Sequence, residues 1–212
     1  DLATYVRQLR GLLAGEVVEI DGAACQMLHV PGWGPARPIS TPIWVAPGGP
    51  KGFAVAREVA EGVIVSAGTE VPNGVWDSCA LLVSGTVVGP SEDYMSARVI
   101  EAAGPCFATT FHGAWEFFPA ALDDLPGGRV WLEAMEAERP DHERHLAVHE
   151  GHLTVMTERD RAAVGVAGPA ILHSGWTGDS GSIATRFDQA AATGVSEVVY
   201  MAAGPDIPGE LE

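Results

Sequence analysis

The segment Pro42-Ile43-Trp44-Val45-Ala46-Pro47-Gly48-Gly49-Pro50, followed through Lys51 to Ala60 by Gly62-Val63-Ile64-Val65-Ser66, decides the fold class. Two short apolar runs rich in β-branched residues enclose a stretch whose apolar positions, Phe53, Ala54, Val55, Ala56, Val59 and Ala60, suit a helix packed on a sheet. This is a β-α-β unit. Parallel strands joined by a helix cross over right-handedly and are covered on both faces, which is why these strands are nearly all apolar instead of alternating.

Downstream, a third strand is expected around Ala80 to Val88, interrupted by Ser84-Gly85, and then a helix around Glu92 to Ala103. Residues 107–166 are richer in aromatic, histidine and charged side chains, with breaks at Pro126-Gly127-Gly128 and Arg139-Pro140, and read as an inserted helical cap at about 107–170. Asp179, in Gly175 to Gly181, suits an N-cap for a helix from about Ser182 to Thr193 that ends at Gly194. Val195 to Met201 is the last strand. Upstream, Leu2, Tyr5, Val6, Leu9, Leu12 and Leu13 mark an amphipathic helix ending near Gly15. Val17 to Ile20 and Cys25 to Leu28 flank Asp21-Gly22, a dipeptide suited to a tight hairpin turn. Residues 31–42, with four prolines and two glycines, form a loop.

Composition narrows the function classes. The 212 residues carry 28 acidic and 12 basic side chains, a formal charge of −16, which repels phosphate backbones and anionic lipid and excludes a nucleic-acid or membrane-surface partner. Three cysteines without CxxC spacing suggest neither a disulfide framework nor a zinc ribbon, and a reducing cytoplasm is the expected location. No window approaches a membrane span, and the N-terminus lacks the pattern of a secretory signal. No Gly-x-Ser-x-Gly elbow, nucleophilic Cys-His pair or paired acid-base carboxylates stand out, so covalent catalysis is not indicated.

The strongest site candidate is Gly48-Gly49-Pro50-Lys51-Gly52, between a strand's C-terminal end and a helix's N-terminus. Glycines admit a ligand close to the backbone, Pro50 is preorganised for the first helical turn, and the first-turn N–H groups with Lys51 favour an anion. A tight turn needing glycines for its own geometry is the other reading. Ser66-Ala67-Gly68 ends the next strand, either at the same rim or as a simple polar cap. His145, His149 and His152, at i, i+4 and i+7, share one face of a helix with Asp141 if that segment is helical. The order His-Glu-Gly-His is not HExxH, so no metal is assigned. His112, with Phe111 and Trp115, reads as an aromatic pocket wall or as core.

Several stretches together carry a resemblance: residues 5–16, Pro42 to Lys51, Ala60-Glu61-Gly62-Val63-Ile64, His145-Leu146-Ala147-Val148-His149-Glu150-Gly151-His152, and Gly194-Val195-Ser196-Glu197-Val198. In their order and spacing the chain resembles the luciferase-like monooxygenase superfamily, in its methylenetetrahydromethanopterin-reductase-like branch. The resemblance implies a (β/α)8 TIM-barrel type of fold of which about the C-terminal half is present. Pro42 to Ala46, Gly62 to Ser66, Ala80 to Val88 and Val195 to Met201 would be strands five to eight of a single partial barrel domain over residues 1–212, with the first four strands lying upstream, absent, or supplied by a partner. It implies an oxidoreductase or monooxygenase acting on a small organic substrate with FMN or the deazaflavin coenzyme (F-420), by hydride transfer or oxygen activation. A flavin reductase would be a partner in the monooxygenase case, and a homodimer is the expected assembly. Gly48, Gly49, Pro50, Lys51 and Ser66 would line the cofactor site. Trp44 would stack near the flavin or simply pack. His149 and His152 would be the catalytic-site residues, donating hydrogen bonds to substrate or reduced flavin. The alternative is a non-catalytic flavin-binding or structural partner of a complete barrel.

Overall fold

The computed structural model describes residues 1–66, 68–72 and 76–212. Two compact units divide the chain, Asp1–Leu82 with Ala190–Val198, and Val83–Gln189 with Val199–Glu212.

The first unit begins with helix α1 (Leu2–Ala14), whose first turn is capped by the Asp1 carboxylate accepting from the Thr4 N–H at 2.9 Å and whose end is set by Gly15 in the left-handed region. Strands β1 (Val18–Ile20) and β2 (Ala23–Cys25) form an antiparallel hairpin. Asp21 and Gly22 both take positive φ, 49° and 81°, as the two-residue turn demands. That turn places Ile20 opposite Ala23, so β2 starts two residues earlier than the expected Cys25.

The β-α-β unit is present. Strand β3 (Trp44–Val45) is followed by helix α2 (Pro50–Val59) and strand β4 (Gly62–Ser66), and β3 and β4 run parallel with Trp44 opposite Gly62. Strand β5 (Cys79–Ser84) pairs in parallel with β4, Val63 opposite Cys79 and Ser66 opposite Leu82. With β6 (Glu197–Met201) these make a four-stranded parallel sheet ordered β3-β4-β5-β6, so the chain is of mixed α/β class. Val63, Val65, Cys79, Ala80 and Leu81 are buried, and α2 contributes Phe53, Ala56 and Val59 from one face. Strand β5 stops at Ser84 instead of reaching Val88, because the Ser84 carbonyl accepts from the Trp176 N–H and Gly85 turns to a φ of 135°. A Cβ at Gly85 would lie 2.3 Å from the Trp176 carbonyl oxygen.

The second unit is built on helix α3 (Ala97–Phe117), with 3-10 turns at Pro119–Asp123, Asp141–Leu146 and Gly168–His173. Helices α4 (Gly128–Glu138), α5 (Glu158–Ala167), α7 (Ile207–Glu210) and most of α6 (Ser180–Ala192), whose end from Ala190 belongs to the first unit, complete the elements among the described residues. Asp179 caps α6, its carboxylate accepting from the Ser182 N–H at 2.9 Å. Helix α3 differs from the expected Glu92–Ala103 span: it starts after the Ser96 cap and continues through Gly104-Pro105. An interior proline costs about 3 kcal/mol, but Val99, Ala103, Phe107, Phe111 and Ala114 form one continuous buried face that burial holds helical. Phe111 stacks on Trp131 of α4, and Leu122, Met135, Val164 and Ile171 fill the same core. Among the described residues no helix is long and apolar enough to cross a membrane.

Candidate functional site

Two arrangements stand out, one in each unit. In the first unit a cavity of about 630 Å³ opens past the C-terminal ends of β3 and β4. Gly48, Gly49 and Pro50 form one wall, Phe53 and Arg57 of α2 a second, and Gly68, Thr69 and Glu70 after β4 a third. Crevices at the carboxyl ends of parallel strands are where α/β proteins bind ligands, because loops from adjacent strands meet there.

The turn's own geometry does not require its glycines. Gly49 has a φ of 166°, extended backbone open to any residue, and a Cβ on Gly48 or Gly49 would meet nothing within 4 Å. Gly52 is different, since its Cβ would press on Pro47 at 3.1 Å. Gly49 also caps α2 without a side chain, so no cap competes for the first-turn N–H groups.

Of the residues expected here, Gly48, Gly49 and Pro50 are brought together. Lys51 is exposed at the start of α2 and does not line the wall. Ser66 ends β4 and supports the wall from behind, its carbonyl accepting from the Thr69 N–H at 3.1 Å and its Oγ 3.4 Å from the Thr69 Oγ1. Ala67 lies outside the described residues. Trp44 is not with this group. It lines a separate depression with Glu61 and Ser78, which precede β4 and β5, at the opposite end of the strands. That end is tied by Glu61, which accepts from the Ile43 N–H at 2.8 Å and pairs with Arg10 at 2.7 Å. The Arg10 hydrogen bond, reinforced by Ile43, holds the Glu61 carboxyl below its usual range. Arg57 and Thr69 escaped sequence reading. Arg57 was within reach of it, because Pro50, Phe53, Ala54 and Arg57 share one face of α2.

The second unit gathers three histidines. The segment holding His145, His149 and His152 is not one helix: after the 3-10 turn at Asp141–Leu146 it runs as turns, with Gly151 at a φ of 73° and Leu153 at 62°. A Cβ at Gly151 would lie 2.2 Å from the Val155 carbonyl oxygen, so this glycine is fixed by the turn that brings His152 back toward α3. His145 stays exposed and apart. The partner is instead His112 of α3, which is 1% exposed. Its Nδ1 lies 3.1 Å from the His152 Nδ1, which lies 3.4 Å from the His149 Nδ1.

Carboxylates back two of these rings. The His149 Nε2 contacts Glu116 of α3 at 3.0 Å, and the His112 Nε2 faces the buried Asp160 at 3.5 Å, a long contact. Asp160 also accepts from the Trp131 indole at 2.7 Å and from the Thr157 N–H and hydroxyl at 2.9 and 2.7 Å. Burial and the neighbouring His112 and His149 lower the His152 pKa, which favours the neutral ring. In the sequence His149 and His152 are marked by their spacing and His112 reads only as pocket wall or core, while Glu116 and Asp160 carry no motif of their own. The pair His112 and Glu116, four residues apart on one helix, was the available signal. A scan against protein-family models and a comparison with curated proteins both return no match for this chain.

Proposed function

We propose that this chain carries the cofactor rim of a luciferase-like oxidoreductase dependent on FMN or the deazaflavin coenzyme, and that its parallel sheet is the later half of a (β/α)8 barrel. The observation that supports the reading most is the cavity beyond β3 and β4, with two glycines that neither backbone conformation nor packing requires. Strand order supports the barrel assignment. Each strand lies beside the next in sequence, as in a singly wound sheet, without the reversal of order found in doubly wound ones.

In this reading Gly48 and Gly49 let an anionic group of the cofactor reach the start of α2, where backbone N–H groups offer positive potential, and Arg57, from the last turn of α2, adds a guanidinium to the cavity wall. Thr69, steadied by Ser66, supplies a hydroxyl on the facing wall. The bound cofactor supplies hydride transfer or oxygen activation toward a small organic substrate, while the protein orients it and limits water. A cytoplasmic homo-oligomer, with a reductase supplying reduced FMN in the monooxygenase case, belongs to the same proposal.

Fluorescence titration with FMN and with the deazaflavin coenzyme tests it. Saturable binding is expected for one of them, weakened at least tenfold by Gly49→Val, whose Cβ meets nothing within 4 Å and whose cost to the fold is confined to replacing a glycine helix cap, about 1 kcal/mol. If neither cofactor saturates, or if Gly49→Val binds as well as the parent, the proposal fails.

A further inference from the structure

We propose that His112, His149 and His152 form a binding site for one divalent transition-metal ion of the zinc class, with a fourth coordination position open to water. The site uses residues of the second unit alone, so it stands or falls independently of the cofactor proposal.

Hydrogen bonding on the outer side of two rings decides their tautomers. The His149 Nε2 hydrogen-bonds Glu116 at 3.0 Å, and the buried His112 Nε2 faces Asp160 at 3.5 Å, too long for a hydrogen bond but near enough that the carboxylate favours an N–H there. In the neutral form, the one a metal binds, each ring then presents an unprotonated Nδ1 inward. The His152 Nδ1 sits 3.1 and 3.4 Å from these two atoms. As an N–H it satisfies one neighbour and leaves the other lone pair without a partner, whereas a cation among the three nitrogens satisfies them all.

The spacing suits that cation. With Zn–N bonds of 2.0–2.1 Å, two nitrogens of a tetrahedral site are about 3.4 Å apart. One ring nitrogen from each of the three histidines lies within 4.8 Å of the other two, and the two Nδ1 separations, 3.1 and 3.4 Å, are close to that value. Three neutral imidazoles with no carboxylate in the ligand set favour zinc, cobalt, nickel or copper over magnesium or calcium. Carboxylates on the far nitrogens of His112 and His149 form the outer layer that orients metal-bound histidines and raises their basicity. Asp160 is itself fixed by Trp131 and Thr157, so His112 is anchored from the core. His149 and His152 are exposed, which leaves the outward side of the site to solvent.

Titration of the chelator-treated full chain with Co²⁺, followed by visible absorption and then displacement with Zn²⁺, tests the site. One equivalent of Co²⁺ should give the visible bands of a four- or five-coordinate ion, and Zn²⁺ should bleach them. His149→Ala and His152→Ala, at exposed positions where near-UV circular dichroism checks the fold, should each abolish the bands. Glu116→Gln should weaken binding about tenfold, as loss of an outer-layer partner does. His145→Ala, in the same segment but outside the cluster, should bind as the parent does. Absence of one-equivalent binding, or binding that survives both His149→Ala and His152→Ala, would overturn the proposal and leave a hydrogen-bonded histidine cluster.

Discussion

Asp160 keeps its charge inside the second unit at 1% exposure because donors surround it: the Trp131 indole, the Thr157 N–H and hydroxyl, and His112 beyond them. Burial alone would raise its pKa, yet the nearby His112 and the hydrogen bonds from Thr157 and Trp131 outweigh burial and hold the carboxyl at about 2, below its ordinary 3.8. A carboxyl so depressed stabilises the fold fully above pH 3.8, and that contribution disappears as pH falls through about 2. It amounts to about 2 kcal/mol. Asp160→Asn should therefore lower stability at neutral pH and flatten the acid limb of the stability curve, as read by urea unfolding between pH 5 and pH 2. An unchanged acid limb in the variant would contradict this assignment. At this scale the sequence was only half legible. His149 and His152 stood out by spacing, but their partners His112, Glu116 and Asp160 come from other elements, and no local pattern joins them.

The packing of α4 on α5 depends on a glycine that the sequence marks only as a break. Gly127 takes a φ of 82°, and a Cβ there would lie 2.2 Å from the Ala163 carbonyl oxygen, a backbone atom that cannot give way cheaply. Gly113 is the opposite case. It lies within α3, and a Cβ there would meet nothing within 4 Å. Gly127→Ala should cost about 3 kcal/mol through strain and displaced backbone, whereas Gly113→Ala should add up to about 1 kcal/mol through helix propensity. Denaturant midpoints of the two variants check both signs. Most elements could be read from sequence, including α1, the hairpin, the β-α-β unit and the breaks around α4, because periodicity and turn residues agree there. Helix α3 could not. Its Gly104-Pro105 pair reads as a stop, and only the buried face running from Val99 to Ala114 shows why the helix continues. The histidine segment fails in the reverse sense, since helical spacing was present but Gly151 takes a left-handed turn.

Across the whole molecule, the α/β class and the parallel sheet followed from the apolar strands flanking a helical stretch, since only strands covered on both faces lack alternation. The division into two compact units did not follow, because it depends on Ala190–Val198 returning to a unit more than a hundred residues upstream. A formal charge of −16 makes the general field unfavourable to anions, so the proposed anionic cofactor would have to be held by local groups: the start of α2, Arg57 and the approach that Gly48 and Gly49 leave open. The most direct test of that claim is an amide NMR titration of the chain with FMN and then with the deazaflavin coenzyme. On this proposal, saturating shifts confined to Gly48, Gly49, Lys51, Gly52, Arg57 and residues 68–70 are predicted for one of the two compounds. Spectra unchanged by both compounds, or shifts centred elsewhere, would contradict the account.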